Sequence, residues 1–159
     1  MRKKLVAVIG GGLEKQASIL EKAEQVGELL AENGFVLITG GLGGVMEAAS
    51  AGARRKGGIV VGILPQTSPD HANAHVEIAL ATGLGEARNA VIATAADALV
   101  AIGGEYGTLS EIALALRMGK PVITINSQWD KIAGTVPAGS PWEAMEYIKN
   151  LFQGPSRTN

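Results

Sequence analysis

The sequence predicts an α/β fold: an open, doubly wound and mostly parallel sheet with helices on both faces. Three observations carry this. Short all-apolar runs alternate with longer stretches of helical periodicity, as strands buried on both faces by crossover helices require. Glycine clusters follow several of those runs directly, where strand-to-helix turns belong. A length of 159 residues with 47% hydrophobic content supplies one core and too little chain for two ordinary domains. The expectation is a single domain over residues 1–159, with residues 154–159 a fraying tail.

The apolar runs place strands near residues 5–9, 35–39, 59–64, 98–102 and 122–125. Arg2-Lys3-Lys4 before the first run imitates the start of a signal peptide, but Gly10-Gly11-Gly12 ends that run after five residues, so it reads as a strand. Ile19, Ala23, Val26, Leu29 and Leu30 recur at helical spacing, and Asn33-Gly34 supplies the stop. A second helix, about residues 45–56, ends in Arg54, Arg55 and Lys56, cations at the negative end of its dipole. A third, about residues 86–95, leads into the strand at 98–102. Thr108-Leu109-Ser110-Glu111 has the spacing of a capping box and opens a fourth helix, with Gly119 and Pro121 beyond its end. Ser140-Pro141-Trp142-Glu143 opens the last helix with a cap residue, a proline at the first position and a glutamate at the third.

Composition narrows the function. Fourteen basic against fifteen acidic side chains give a net charge of -1, which leaves no surplus for neutralising a nucleic-acid backbone. Zero cysteines exclude disulfides, thiolate metal sites and cysteine nucleophiles, and fit a cytoplasmic protein. Glycines or charges interrupt every apolar stretch well short of the ~20 residues that span a bilayer, so no membrane association is expected. The 22 glycines are about twice the usual share and form no repeat, which points to loops built from backbone.

Three such loops follow strands: Gly10-Gly11-Gly12, then Gly40-Gly41-Leu42-Gly43-Gly44, then Gly103-Gly104-Glu105-Tyr106-Gly107-Thr108. If the first strand is central, with those at 35–39 and 98–102 on either side, all three turns converge beyond the carboxyl ends of the strands. Backbone N–H groups and helix N-termini there suit a phosphate, and a small phosphorylated nucleotide-like ligand is the expected partner. For any one turn the plain alternative is that tight strand-to-helix connections need glycine. Standard nucleotide motifs fail: a G-x-G-x-x-G run would need glycine at Lys15, no acidic residue ends the second strand, and Gly119-Lys120 precedes a proline, not a phosphate loop.

Residues 39–48, beginning Thr39-Gly40-Gly41 and including Met46, together with Arg88-Asn89-Ala90 and the run from Asp97 to Glu111, resemble the Lonely-guy (LOG) superfamily. These are nucleoside 5′-monophosphate phosphoribohydrolases, long mislabelled lysine decarboxylases. The chain is most similar to the short branch that includes molybdenum cofactor carrier proteins and is related to the DNA-processing protein DprA. The resemblance extends to about Pro121 and implies a Rossmann-like fold. Gly40, Gly41, Gly44 and Met46 match the family's GG-x-x-G-x-M-G, with Glu47 at its last glycine. Gly104, Gly107, Thr108 and Glu111 match PGG-x-GT-x-x-E, with Gly103 at the proline and Glu105 at the second glycine. Arg88 matches an upstream arginine, and Asn89 stands at the lysine that follows it in active members.

The resemblance implies a site in which Arg88 and Glu111 are catalytic. Gly11, Gly12, Gly40, Gly41, Gly43, Gly44, Met46, Gly104, Glu105, Tyr106, Gly107 and Thr108 would hold the ligand. The implied reaction is hydrolysis of the N-glycosidic bond to free base and ribose 5-phosphate, requiring no cofactor. The alternative is a carrier or sensor of a bound nucleotide, phosphate or molybdenum cofactor. Glu111 would stabilise positive charge on the ribose or activate water; read without the family, it only closes the capping box. A carboxylate at Glu105 would repel a phosphate dianion unless it points away or meets a metal. Tyr106 would stack on a base or pack at its turn.

His71 and His75 lie four apart, but in a loop and without a third ligand, so no metal site is expected. Trp129 reads as a packing or interface residue. Ile112, Ala113, Leu114 and Leu116 form an apolar, alanine-rich surface that suggests a homo-oligomer, dimer or tetramer, although sheet packing would consume much of it.

Overall fold

The computed structural model describes residues 1–154, so the expected fraying tail lies, apart from Gly154, outside the described residues. The chain runs β1 (Leu5–Gly10), α1 (Ala17–Glu32), β2 (Val36–Thr39), α2 (Val45–Arg55), β3 (Val60–Leu64), β4 (Ile78–Ala81), α3 (Arg88–Ala95), β5 (Ala98–Ile102), α4 (Tyr106–Arg117), β6 (Val122–Ile125), β7 (Thr135–Pro137) and α5 (Pro141–Gln153). Short 3-10 turns at Pro69–His71 and Gly85–Ala87 fill two of the connections. All seven strands join one parallel sheet in the order β4-β3-β2-β1-β5-β6-β7. The chain winds outward from β1 to one edge, then crosses back and winds to the other.

The two faces are read off β1. Val6 and Val8 point to a core shared with α1, α2 and α5, whereas Ala7 and Ile9 point to one shared with α3 and α4. All four are essentially inaccessible, as a central strand covered on both faces must be. Val100 and Ile102 repeat the first face in β5, and Leu99 and Ala101 the second. Register sets this alternation, since a one-residue slip would swap every side chain to the other face.

The five expected strands lie close to where the apolar runs put them, and the structure adds two at the edges. β4, Ile-Ala-Leu-Ala, is apolar yet largely exposed and half alanine, and β7 is three residues ending in proline, so neither reads as a buried β-branched run. The last helix starts as expected: Ser140 Oγ accepts from the Glu143 N–H (3.1 Å), and the Glu143 carboxylate accepts from the Gly139 N–H (2.8 Å). The apolar surface expected on α4 is mostly consumed. Ile112 is fully buried, and Leu114 and Leu116 pack against the α3/α4 core.

Candidate functional site

β1, β2 and β5 are neighbours, so their carboxyl ends bring the three glycine turns together. The first two are joined directly, because the Val45 N–H at the start of α2 donates to the Gly11 carbonyl (3.1 Å). Gly44, at φ +60°, presses its bare Cα against that same carbonyl, and a side chain there would break the joint. Thr39 Oγ1 accepts from the Gly41 N–H (3.0 Å). From the loop after β3, Asn73 donates its Nδ2 to Leu42 O (2.8 Å) and its N–H to Gly41 O (2.9 Å). Protein groups therefore fix the second turn.

The third turn departs from expectation. α4 starts at Tyr106 with Glu105 in the N-cap position, and no side chain caps it. Thr108 and Glu111 both lie inside the helix, so the capping box expected between them does not form. The turn reverses within Gly103-Gly104, which starts the helix three residues early, and the Thr108 side chain packs over Gly104 instead. Without that box, capping gives no reason for a carboxylate at 111.

Glu111 is buried, 8% exposed, yet borders an open cleft of about 650 Å³. Its side chain has no hydrogen-bond partner among the described residues. Burial pushes its pKa up to about 7, and the positive charge of Arg88 only partly offsets this. Arg88, first residue of α3, borders the same cleft and donates Nη1 to Ile63 O (3.1 Å), while its buried Nε has no partner among the described residues. Burial lowers its pKa and Glu111 opposes the shift, although a guanidinium stays charged regardless. The two form no direct ion pair. What results is a poised pair facing a cavity: a carboxyl titrating near neutrality and a cation with a free donor.

Gly11, Gly12, Met46, Glu105, Gly107 and Thr108 also line the cleft. Gly40, Gly41, Gly43, Gly44 and Gly104 stand behind it as the framework of the turns. Gly40 leaves room for a side chain that is not its own, since a Cβ there would overlap the Arg88 guanidinium and crowd Met46 Sδ (2.7 Å). Tyr106 is turned away: 81% exposed, it leans on Trp129 with ring centroids 5.9 Å apart and lines no part of the cleft.

Sequence reasoning missed Glu14, Glu86 and Asn89 as lining residues. Glu14 Oε1 accepts from the Lys15 and Gln16 N–H groups in the turn that leads into α1, so a carboxylate three residues before a helix was the available signal. Asn89 Nδ2 donates to Ser110 Oγ (3.1 Å), linking the helix of Arg88 to the helix of Glu111. With Glu105 and Glu111, the lining holds four carboxylates against Arg88 alone. Among the described residues no three His, Cys, Asp or Glu side chains are grouped to hold a metal ion. No helix among them is long and apolar enough to cross a membrane.

This arrangement has relatives. The chain is 48% identical to an uncharacterized protein of Archaeoglobus fulgidus over 89% of its own length and 92% of the other's. It is 31% identical to the cytokinin riboside 5′-monophosphate phosphoribohydrolase LOG of rice, over 69% of this chain and about half (47%) of that protein. In three dimensions it matches the molybdenum cofactor binding protein of Rippkaea orientalis at TM-score 0.90 and 39% identity, covering 95% of this chain and 98% of that one. The motifs on β2–α2 and β5–α4 and the doubly wound sheet agree with a family model that matches residues 3–149, and the chain belongs to the SLOG cluster4 family of the LOG superfamily.

Proposed function

We propose that the cleft binds a nucleoside 5′-monophosphate or a closely similar phosphorylated ligand and hydrolyses its N-glycosidic bond. The observation that carries this is Glu111: a buried carboxyl without a partner, bordering the cleft beside Arg88, with a pKa near 7. Such a group costs stability and is suited to general-base work at neutral pH. In this reaction Glu111 takes a proton from water as the water oxygen bonds to C1′. The C1′–N bond breaks with its electron pair leaving on the base, which takes up a proton. The ionised carboxylate also offsets positive charge developing on the ribose. Arg88 orients the phosphorylated sugar, and the N–H groups at the start of α4 receive the phosphate. No cofactor enters these steps. Incubating the protein with purine and pyrimidine monophosphates and separating the products tests this directly: released base and ribose 5-phosphate support it, and intact substrate throughout refutes it.

A second reading is favoured by the full-length likeness to a molybdenum cofactor binding protein and by the carboxylate-rich lining. Here the protein carries a phosphorylated cofactor, and Arg88 and Glu111 position cargo. Ligand that binds and is recovered unchanged would favour carriage over hydrolysis. A homo-oligomer belongs to either reading, with Ile78, Leu80 and Leu84 at the exposed β4 edge as the apolar surface available to it.

A further inference from the structure

Two side chains outside the cleft hold two peptide groups of the third turn. Gln128 Nε2 donates to the Gly104 carbonyl (2.9 Å), and Trp129 Nε1 donates to the Glu105 carbonyl (3.2 Å). In a planar trans peptide, a carbonyl and the N–H that follows it point in opposite directions. Holding the Gly104 carbonyl toward Gln128 therefore turns the Glu105 N–H to the other side. The Glu105 carbonyl accepts the Leu109 N–H (3.0 Å) in the first turn of α4 as well as Trp129 Nε1, so the indole braces the far end of the same residue against the helix. For Glu105 the other side is the cleft, which Glu105, Gly107 and Thr108 line while Tyr106, Gln128 and Trp129 do not. Among the described residues the Glu105 N–H has no hydrogen-bond partner.

We infer that Gln128 and Trp129 are positioning residues for anion recognition: they hold the peptides of the third turn so that the Glu105 N–H faces the ligand phosphate. This rests on the phosphate-binding reading above and adds to it the residues that prepare the donor before ligand arrives. The segment that carries them is itself anchored. Buried Ser127 accepts the Trp129 N–H at its Oγ (3.2 Å), and Gly103, at the other end of the turn, donates to Ile125 O (3.1 Å). Tyr106 fits the same device, since its ring packs against Trp129 and helps hold the indole over the turn. Peptides held before binding lose less conformational freedom when the anion arrives, so the two side chains raise affinity without touching ligand.

The test uses two variants of the full chain. Trp129→Phe keeps an aromatic ring against Tyr106 and removes the donor; Gln128→Met keeps side-chain length and removes the donor. Calorimetry with adenosine 5′-monophosphate is paired with an amide NMR titration of inorganic phosphate. Each variant should weaken nucleotide binding ~5-fold, as expected for loss of one hydrogen bond's worth of preorganisation. Melting temperatures should stay close to wild type, and the phosphate-induced shift of the Glu105 amide should shrink. Wild-type affinity in both variants, with that amide still responding fully, overturns the positioning role alone. So does a loss of affinity that only tracks a fall in melting temperature. If the wild type binds neither probe, the phosphate reading itself fails and this inference falls with it.

Discussion

Gly40 and Arg88 share one space: the arginine guanidinium lies where a side chain at position 40 would begin. One glycine at the end of β2 thus decides where a cation on α3 sits, although the two are far apart in sequence. Gly40→Ala should push the guanidinium off Ile63 O and out of line with Glu111. Nucleotide affinity should fall ~10-fold, the scale of one charge-assisted hydrogen bond, as it should in Arg88→Ala. The double variant separates this from a general disturbance of the turn. If Gly40 acts through Arg88, adding Gly40→Ala to Arg88→Ala costs little further affinity. Additive losses in calorimetry would show that Gly40 serves the ligand by another route.

Glu111 makes a prediction about pH whose sign follows from burial. Its pKa in the folded protein, about 7, is raised above the usual 4.5, so the native state binds the proton more tightly than the unfolded chain does. Stability is therefore lost as pH rises from 4.5 through 7, when a poorly solvated charge must form. Glu111→Gln removes that cost. The variant should gain stability over wild type above pH 7, by roughly 3 kcal/mol at most, and gain little near pH 4.5. Base release should collapse in the same variant, and wild-type turnover should rise with pH through about 7. Denaturant melts showing no pH-dependent gap between the two proteins would remove the buried, perturbed carboxyl on which the hydrolase reading stands.

Central elements were legible in the sequence because their surroundings are uniform. β1 and β5 are covered on both faces, so their residues are apolar throughout, and the glycine turns stand directly after them. β4 and β7 were not, since an edge strand pairs on one side only and tolerates alanine, proline and exposure. In the site, Arg88 and Glu111 came from a family likeness, and the structure brings both to one cleft. The capping spacing at Thr108 misled because it describes what a side chain can reach, whereas the turn at Gly103-Gly104 sets where the helix begins. Glu86 escaped because nothing in its own neighbourhood distinguishes it, whereas Glu14 before α1 and Asn89 beside Arg88 carried signals that only the fold ties to the cleft.

Glu105 sits in the N-cap position of α4 and lines the cleft, and its side chain caps nothing. It can be neutralised without loosening the helix. Glu105→Gln should tighten binding of a nucleoside monophosphate by about 2- to 5-fold at low salt, the range of a solvent-screened charge, and the gain should shrink as salt is added. The carrier reading predicts otherwise for its own cargo if Glu105 meets a hydrogen-bond donor there. Unchanged monophosphate affinity at every ionic strength would mean that this carboxylate never faces the phosphate.

The last prediction concerns Asp97, which ties the start of β1 to the start of β5. Its carboxylate accepts from both terminal nitrogens of Arg2 (2.8 and 2.7 Å) and from the Leu5 N–H (2.9 Å). The hydrogen bonds from Arg2 chiefly hold its pKa down at about 2; the Leu5 N–H adds to them and partial burial works against them. A depressed carboxyl stabilises the fold above its unfolded value, about 4, and that stabilisation is lost as pH falls from there through 2. Asp97→Asn keeps an oxygen for the Leu5 N–H and loses the charge, so its stability should lack this acid-dependent step. The gap between wild type and variant in urea midpoint should be widest above pH 4 and close as pH approaches 2. A gap that persists unchanged at pH 2 would mean the pair contributes through packing alone. The basic residue that imitates a signal peptide in the sequence thus has a measurable structural partner 95 residues away.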